Sequence, residues 1–407
     1  MRYRDYDSEK DRPAVCRLLT EVGWLEKGKE EAYDALLAAG RTLVADIDGE
    51  AECLVATTPG DMRYLDADLP FAEVTAVATS RIARRQGLAQ RLLARSLAAS
   101  AADGAMLARV CVFDQGFYNQ VGFGPGGYEH EIFFDPASLR VEVKPRIPRR
   151  LTVEDRELVF ASRRARRRGH GGVSYHSLGA LDMDWAQKGF GLGYCDGPQG
   201  ELTHHFCCAY EHADHGPYDI LWMAYQTRGQ FLELLGLIKS LGDQVRLVHA
   251  REPQGVQFQD LLDRPFRHHE TTKASRFENR ITASAFWQVR ILDLGRCLAN
   301  THLPWGEVRF NLQLTDPIER SLGDDAAWRG VAGDYIVTLG PTSSCERGTD
   351  PSLPTLNASV NAFSRLWLGV RPAVGLAVTD DLSGPESLLT ALDACLRLPE
   401  PKPDWEF

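Results

Sequence analysis

An apolar run, a basic loop broken by one glycine and an amphipathic stretch follow one another without interruption between Glu73 and Ala102. Glu73–Thr79 reads as a strand, and residues from about Gly87 to Ala102 read as a helix. The loop between them carries Arg84, Arg85 and Gly87. A helix that begins directly after a strand presents unpaired backbone N–H groups and the positive end of its dipole, so the junction suits an anion such as a pyrophosphate. Gly87 lets the backbone approach that anion closely, and Arg84 and Arg85 add charge-assisted hydrogen bonds. The junction restricts the region to a mixed α/β unit. The junction itself carries no G-x-G-x-x-G, which argues against a dinucleotide-binding loop there.

The surroundings extend this unit to about residue 135. Ser8-Glu9-Lys10-Asp11 reads as a capping box, and Val15, Leu18, Leu19 and Val22 behind it share one helical face. Gly23 and Gly40 bracket a second helical stretch. Thr42–Ile47 and Ala51–Thr57 flank Asp48-Gly49, a type I′ hairpin signal. Ala105–Cys111 reads as a buried strand, residues around Tyr118 as a short helix, and Tyr128–Phe134 as the strand completing the unit. The expected order is helix, helix, hairpin, strand, helix, strand, helix, strand.

Asp135-Pro136 and Lys144-Pro145-Arg146-Ile147-Pro148 mark a linker. Beyond it Thr152–Arg168 and Phe231–Leu241 read as helices, and Asp219–Tyr225 and Gln244–His249 as strands. A new pattern begins in Ile281–Leu298. Strands are expected at Glu307–Leu314 and Asp334–Leu339, and helices at Leu356–Leu368 and around Leu388–Leu396. The tail from Pro399 is proline-spaced, hence semi-rigid and extended.

A length of 407 residues calls for two to four domains at about 100–200 residues each. Hydrophobic residues make up 44% and charged residues 25%, as in ordinary globular chains. Met1–Lys10 is charged and has no signal-peptide core, and no apolar run approaches the roughly 18 residues of a membrane span. The expected location is cytoplasmic, without membrane association. A net charge of −10 disfavours nucleic acid and favours cationic ligands. Nine scattered cysteines without CxxC spacing read as buried thiols rather than a disulfide or zinc framework. His204, His205, His212 and His215 lack the partners of a recognised metal site, so no metal is expected. The arginine run from Arg163 to Arg168 reads as a solvated helix face or subunit contact.

A second chemical signal is Phe113-Asp114-Gln-Gly-Phe-Tyr118-Asn-Gln-Val-Gly122-Phe123-Gly124. A phenol placed here can protonate a departing thiolate. The first loop fits the R-x-x-G-x-G/A pattern of GNAT acetyltransferases, and this segment resembles their tyrosine-bearing strand end. Along nearly its full length the chain resembles the Eis-type GNAT family. The matches are the loop, which is similar to the family's V-A-T-x-P-x-Y-R-R-x-G, the middle-region segments Asp219–Tyr225 and Leu237–Gln244, and the Glu406-Phe407 ending.

The resemblance implies an α+β chain: two tandem GNAT-like mixed α/β domains, residues 1–143 and 144–283, then a sterol-carrier-protein-like α/β domain, residues 284–407. It implies acetyl-CoA as co-substrate, bound by Val77, Ala78, Thr79, Arg84, Arg85, Gln86, Gly87, Leu88, Ala89, Gln90, Phe113 and Asp114. Tyr118 is then the general acid and the Phe407 carboxylate the general base. Glu406, Trp24 and Tyr33 fall to the substrate side. Arg81 stands where the family often has proline, and Ala83 where it often has tyrosine or histidine.

No histidine precedes His130, so the stretch that carries the loop and Tyr118 has no imidazole to serve as base. An ionised terminal carboxylate beside Glu406 would instead attract and orient an ammonium group. Glu73 is the alternative base. The middle domain is expected to bind no cofactor. The implied activity is direct acetyl transfer to a primary amine of a small cationic substrate, aminoglycoside-like or polyamine-like, by a homo-hexamer. The alternatives are a protein-lysine acetyltransferase and a non-catalytic lipid- or acyl-binding protein.

Overall fold

The computed structural model describes residues 1–111, 114–179, 181–182, 189–265, 272–324 and 326–405. Three mixed or antiparallel sheets with flanking helices make the chain α+β. Contacts divide it into two compact units. One comprises residues 1–127, 170–179 and 285–407, the other residues 128–169 and 180–284.

The first unit opens with β1 (Arg2–Asp5), α1 (Ser8–Glu21), α2 (Glu30–Ala38), β2 (Arg41–Ile47), β3 (Glu50–Tyr64) and β4 (Ala67–Thr79). It continues with α3 (Leu88–Ala102), β5 (Leu107–Cys111), α4 (Gln115–Asn119) and β6 (Gly124–Pro125). The cap of α1 lies one residue earlier than the sequence suggests: the Asp7 carboxylate accepts from the N–H groups of Glu9 and Lys10. The expected hairpin is present, with Asp48 and Gly49 both at positive φ (52° and 95°).

Strand order in the first sheet is β1-β2-β3-β4-β5, then Trp287–Ile291, then β6, with Val173–Tyr175 pairing beside β3. This corrects the expected end of the unit. Glu129–Phe134 does not complete this sheet; it pairs inside the second unit with Arg280–Ser284 and Val248–Arg251. Trp287–Ile291 takes the place beside β5, with every residue buried. Gly126 admits it, because a Cβ there would lie 2.1 Å from the Trp287 ring. The arriving Arg290 forms a fully buried ion pair with Asp316 at 2.8 Å. It also explains Gly122: at φ +88° the residue favours glycine, and a Cβ would come within 2.6 Å of the Arg290 guanidinium.

The core beneath α3 gathers Val55, Val74, Ala83, Leu88, Leu92, Leu97, Val110, Tyr118 and Phe123. Each buried leucine or valine here contributes about 1.5–3 kcal/mol. A third, five-stranded sheet built from Val308–Thr315, Gly333–Leu339, Ser344–Arg347, Thr355–Ser359 and Leu382–Ser383 belongs to the same unit. Its parallel strand Thr355–Ser359 occupies the first part of the expected Leu356–Leu368 helix. Ser359 then caps a shorter helix, Val360–Trp367, by accepting from the Ala362 N–H.

The second unit holds a seven-stranded sheet and a core that includes Ile132, Phe134, Phe206, Leu234, Leu235 and Ile238. The strand expected at Gln244–His249 starts only at Val248. Arg163 and Arg166 are buried rather than solvated, and the Arg163 guanidinium stacks over Trp222 at 4.2 Å. Among the described residues no cluster of His, Cys, Asp and Glu could hold a metal, and no helix is long and apolar enough to cross a membrane.

Candidate active site

The wedge in the first sheet starts from a register change. Ala56 pairs with Ala76 and Thr57 with Val74, which leaves Thr75 as the extra residue of a β-bulge in β4. On its other side β4 pairs with β5 only from Phe71–Leu107 to Val74–Val110. Ala76–Thr79 therefore keep their β3 partners while, among the described residues, no strand lies along their other edge. Val77, Ala78 and Thr79 lie on that open edge. Unpaired strand backbone can hydrogen-bond an extended, amide-bearing ligand.

The predicted loop follows at once. The Ser80 N–H donates to Glu52 O, and the Ala83 N–H to Ser80 O. Arg81 is anchored by α1: its N–H donates to the Glu21 carboxylate at 2.9 Å, and its guanidinium to the Glu21 carbonyl. Glu21 thus supplies the restraint that a proline would give at that position. Ala83 and Leu88 are buried in the core and pin both ends of the loop. Arg85 and Gly87 have positive φ (62° and 71°), a nest-like arrangement that turns successive N–H groups to one side. Gly87 is the N-cap of α3 and provides no side-chain cap. The first N–H groups of α3, at Leu88, Ala89 and Gln90, thus have no side-chain acceptor of their own. Arg84 and Arg85 are exposed, with no ion pair among the described residues; Gln86 folds back onto Ile82 O. The cluster of donors is positive and open.

Tyr118 lies on α4. The Asp114 carboxylate caps this helix by accepting from the Gly116 and Phe117 N–H groups at 3.0 and 3.4 Å. The Tyr118 ring meets Phe117 and Phe123 edge-on at 5.0 and 6.0 Å. Burial foremost, then the neighbouring Cys111 and Asp114, pushes its hydroxyl up to about 12. It keeps its proton through the neutral range. Trp24 is partly exposed in the turn after α1, and the buried Tyr33 donates its hydroxyl to the Trp24 carbonyl at 2.9 Å. Phe113, Glu406 and Phe407 lie outside the described residues.

Two groups that sequence reading treats differently meet inside this unit. Glu73 faces Arg109 across β4 and β5, both fully buried, with Nε to Oε2 at 2.6 Å. Burial raises the Glu73 carboxyl and the Arg109 charge opposes that rise. Glu73 is thus buried and held by Arg109. The proline-spaced tail arrives here too. Trp405 is fully buried, and its carbonyl accepts from Arg109 and from the Tyr175 hydroxyl at 3.3 and 3.4 Å. Arg109, Tyr175 and Trp405 escaped sequence reading. The available signal was a lone arginine in the apolar run Ala105–Cys111, opposite a glutamate in the preceding strand.

A cavity of about 1070 Å³ lies elsewhere in the unit, along Gly40–Thr42, Thr57–Gly60 and Pro70–Ala72. None of the predicted site residues line it. Its charged groups are largely paired already, as in Arg12–Asp34 and Arg41–Asp103.

Residues 3–126 match the family described as acetyltransferase (GNAT) domain. No curated protein matches the chain. A probable N-acyltransferase of unknown function from Enterococcus faecalis covers 98% of this chain and 97% of its own, at 19% identity and a TM-score of 0.77. A GCN5-related N-acetyltransferase from Anabaena variabilis covers 98% of each chain at 14% identity and a TM-score of 0.77. Eis1 from Mycobacterium abscessus covers 100% of each at 15% identity and a TM-score of 0.74. At such identities these likenesses concern the fold. The family match identifies residues 3–126 as a GNAT acetyltransferase domain, whose co-substrate is acetyl-CoA, and the likenesses give the chain the Eis-type tandem-GNAT fold.

Proposed function

We propose that the chain transfers the acetyl group of acetyl-CoA directly to a primary amine of a small cationic molecule, aminoglycoside-like or polyamine-like. The observation that carries this reading is the tail. Its Trp405 carbonyl is held at β5, inside the acetyltransferase unit, with two residues still to follow. In this reading the terminal carboxylate, two residues and up to about 7 Å of chain further on, serves the wedge. That carboxylate and Glu406 give the site the negative charge an ammonium substrate needs.

In this reading the open edge at Val77, Ala78 and Thr79 pairs with the pantetheine arm. The N–H groups at Gly87, Leu88, Ala89 and Gln90, flanked by Arg84, Arg85 and Gln86, hold the pyrophosphate. Phe113 and Asp114 border the cofactor, and Trp24 and Tyr33 wall the acceptor side. The Phe407 carboxylate takes a proton from the amine as its nitrogen attacks the thioester carbon. Backbone N–H groups of β4 stabilise the developing oxyanion. The C–S bond then breaks and Tyr118 protonates the leaving sulfur. The division 1–143, 144–283 and 284–407, a single cofactor site per chain, a hexameric assembly and a cytoplasmic location complete the proposal.

Titration calorimetry with acetyl-CoA tests the cofactor side. Wild type is expected to bind one equivalent per chain. Arg85→Ala should lose about 1.5–3 kcal/mol, the contribution of a hydrogen bond to a charged group. Gly87→Asp should nearly abolish binding, since it adds a negative charge at a positive-φ position. Unchanged affinity in both variants would remove the loop from the site.

A further inference from the structure

One buried point in the acetyltransferase unit joins two strands of the sheet, an inserted segment and the chain's end. Arg109 and Glu73 are register partners, one pair before β4 and β5 separate beyond Val74–Val110. The guanidinium spends its Nε on Glu73 Oε2 at 2.6 Å. Its Nη2 donates to the Tyr175 hydroxyl and the Trp405 carbonyl, each at 3.3 Å. Tyr175 donates to the same carbonyl at 3.4 Å and packs its ring edge-on against Trp405 at 5.2 Å.

Burying an arginine and a glutamate costs several kcal/mol in desolvation, and apolar residues of similar volume often stabilise as well or better. Packing alone therefore does not account for this pair. What a guanidinium adds is direction: its planar donors fix two acceptors at set angles. Here one acceptor belongs to the sheet and the other to the tail. A second grip lies upstream. The Lys402 N–H donates to the His170 carbonyl at 3.1 Å. Gly171, at φ +81°, lies so close to the tail that a Cβ would come within 2.7 Å of Pro401. The tail is thus fixed at residues 401–402 and again at 405.

We infer that Arg109, oriented by Glu73, is a positioning residue that holds the C-terminal tail at Trp405 and so sets the point from which the tail continues. The inference rests on the reading that the terminal carboxylate is the base. It assigns Glu73 to holding Arg109 rather than to proton transfer.

Arg109→Lys separates positioning from mere structure. It keeps a cation opposite Glu73 but has no planar fork to reach the tail as well. Two readouts are taken on the full-length protein. The first is release of the terminal phenylalanine by a carboxypeptidase. Losing a charged hydrogen bond should expose the tail about tenfold more often, with release faster in proportion. The second is steady-state acetylation. The turnover rate should fall about tenfold or more, with the KM for acetyl-CoA unchanged, because the cofactor loop is untouched. Tyr175→Phe removes one hydroxyl from the same carbonyl and should speed release by a smaller factor. It keeps the test decisive if Arg109→Lys does not fold.

Wild-type resistance to the carboxypeptidase in folded Arg109→Lys overturns the inference. Unchanged release in Tyr175→Phe does so if only that variant folds. Faster release with unchanged turnover upholds Arg109 as the tail's anchor and overturns the tail carboxylate as base, so the two ideas fail separately.

Discussion

A tag appended after Phe407 is expected to lower acetyl transfer about 10²-fold or more, because misplacing a reacting group by about 1 Å already costs that much. The tag turns the terminal carboxylate into a neutral amide and adds chain where the acceptor must bind. Deleting Phe407 makes Glu406 the terminus and draws the charge back by up to about 3.5 Å; it should be similarly damaging. Phe407→Ala keeps the carboxylate and should fall between these variants and wild type. All three should retain acetyl-CoA affinity, since the cofactor loop belongs to β4 and α3. An N-terminal tag is the control and should be harmless. Equal rates for the two tagged forms would mean that the tail is not the base.

Tyr118→Phe is expected to lower turnover about 10²-fold or more, the usual scale for losing a general acid, with acetyl-CoA binding intact. The ring stays packed against Phe117 and Phe123, so the change removes the proton and little else. The sign of the pH dependence follows from the hydroxyl being pushed up to about 12. A raised value leaves the phenol protonated, and able to donate, until the solution approaches that pH. Loss of rate through Tyr118 ionisation should therefore be absent from pH 6 to 9 in a pH–rate profile of wild type. A full wild-type rate in Tyr118→Phe would make the residue structural.

The elements legible in the sequence were those whose cause is local. The hairpin at Asp48-Gly49 and the junction at Gly87 both require positive φ, and the structure has it at both. α3 announces itself by helical periodicity and occupies Leu88–Ala102. The Arg81 departure from the family pattern was visible, but its compensation by Glu21 was not, because the two lie 60 positions apart. Non-local pairing was the main blind spot. Glu129–Phe134 lies in a stretch that reads as a strand, yet periodicity does not say which sheet receives it, and Trp287–Ile291 falls in Ile281–Leu298, which reads only as a new pattern. The sheets are decided by tertiary fit, such as Gly126 against Trp287 and Arg290 against Asp316. Leu356–Ser359 reads as the start of a helix because the residues that follow continue the apolar face, whereas pairing with Val308–Thr315 keeps Thr355–Ser359 extended. In the candidate site the loop and Tyr118 were legible as motifs. Glu73 reads as an alternative base and Arg109 carries no reading of its own until the register sets the two opposite each other. Trp405 read as part of an extended tail, and its burial depends on Tyr175, which comes from an inserted segment.

The central claim, amine acetylation from acetyl-CoA, is tested most directly by thiol release from acetyl-CoA with and without acceptor. Aminoglycosides, polyamines and lysine-containing peptides are offered in parallel, and products are identified by mass. The account predicts negligible release without an amine, rapid release with at least one small polycationic amine, and one added acetyl group on the acceptor for each thiol freed. Release only with lysine peptides would contradict the small-amine assignment, and no amine-dependent release from any acceptor would contradict the account as a whole.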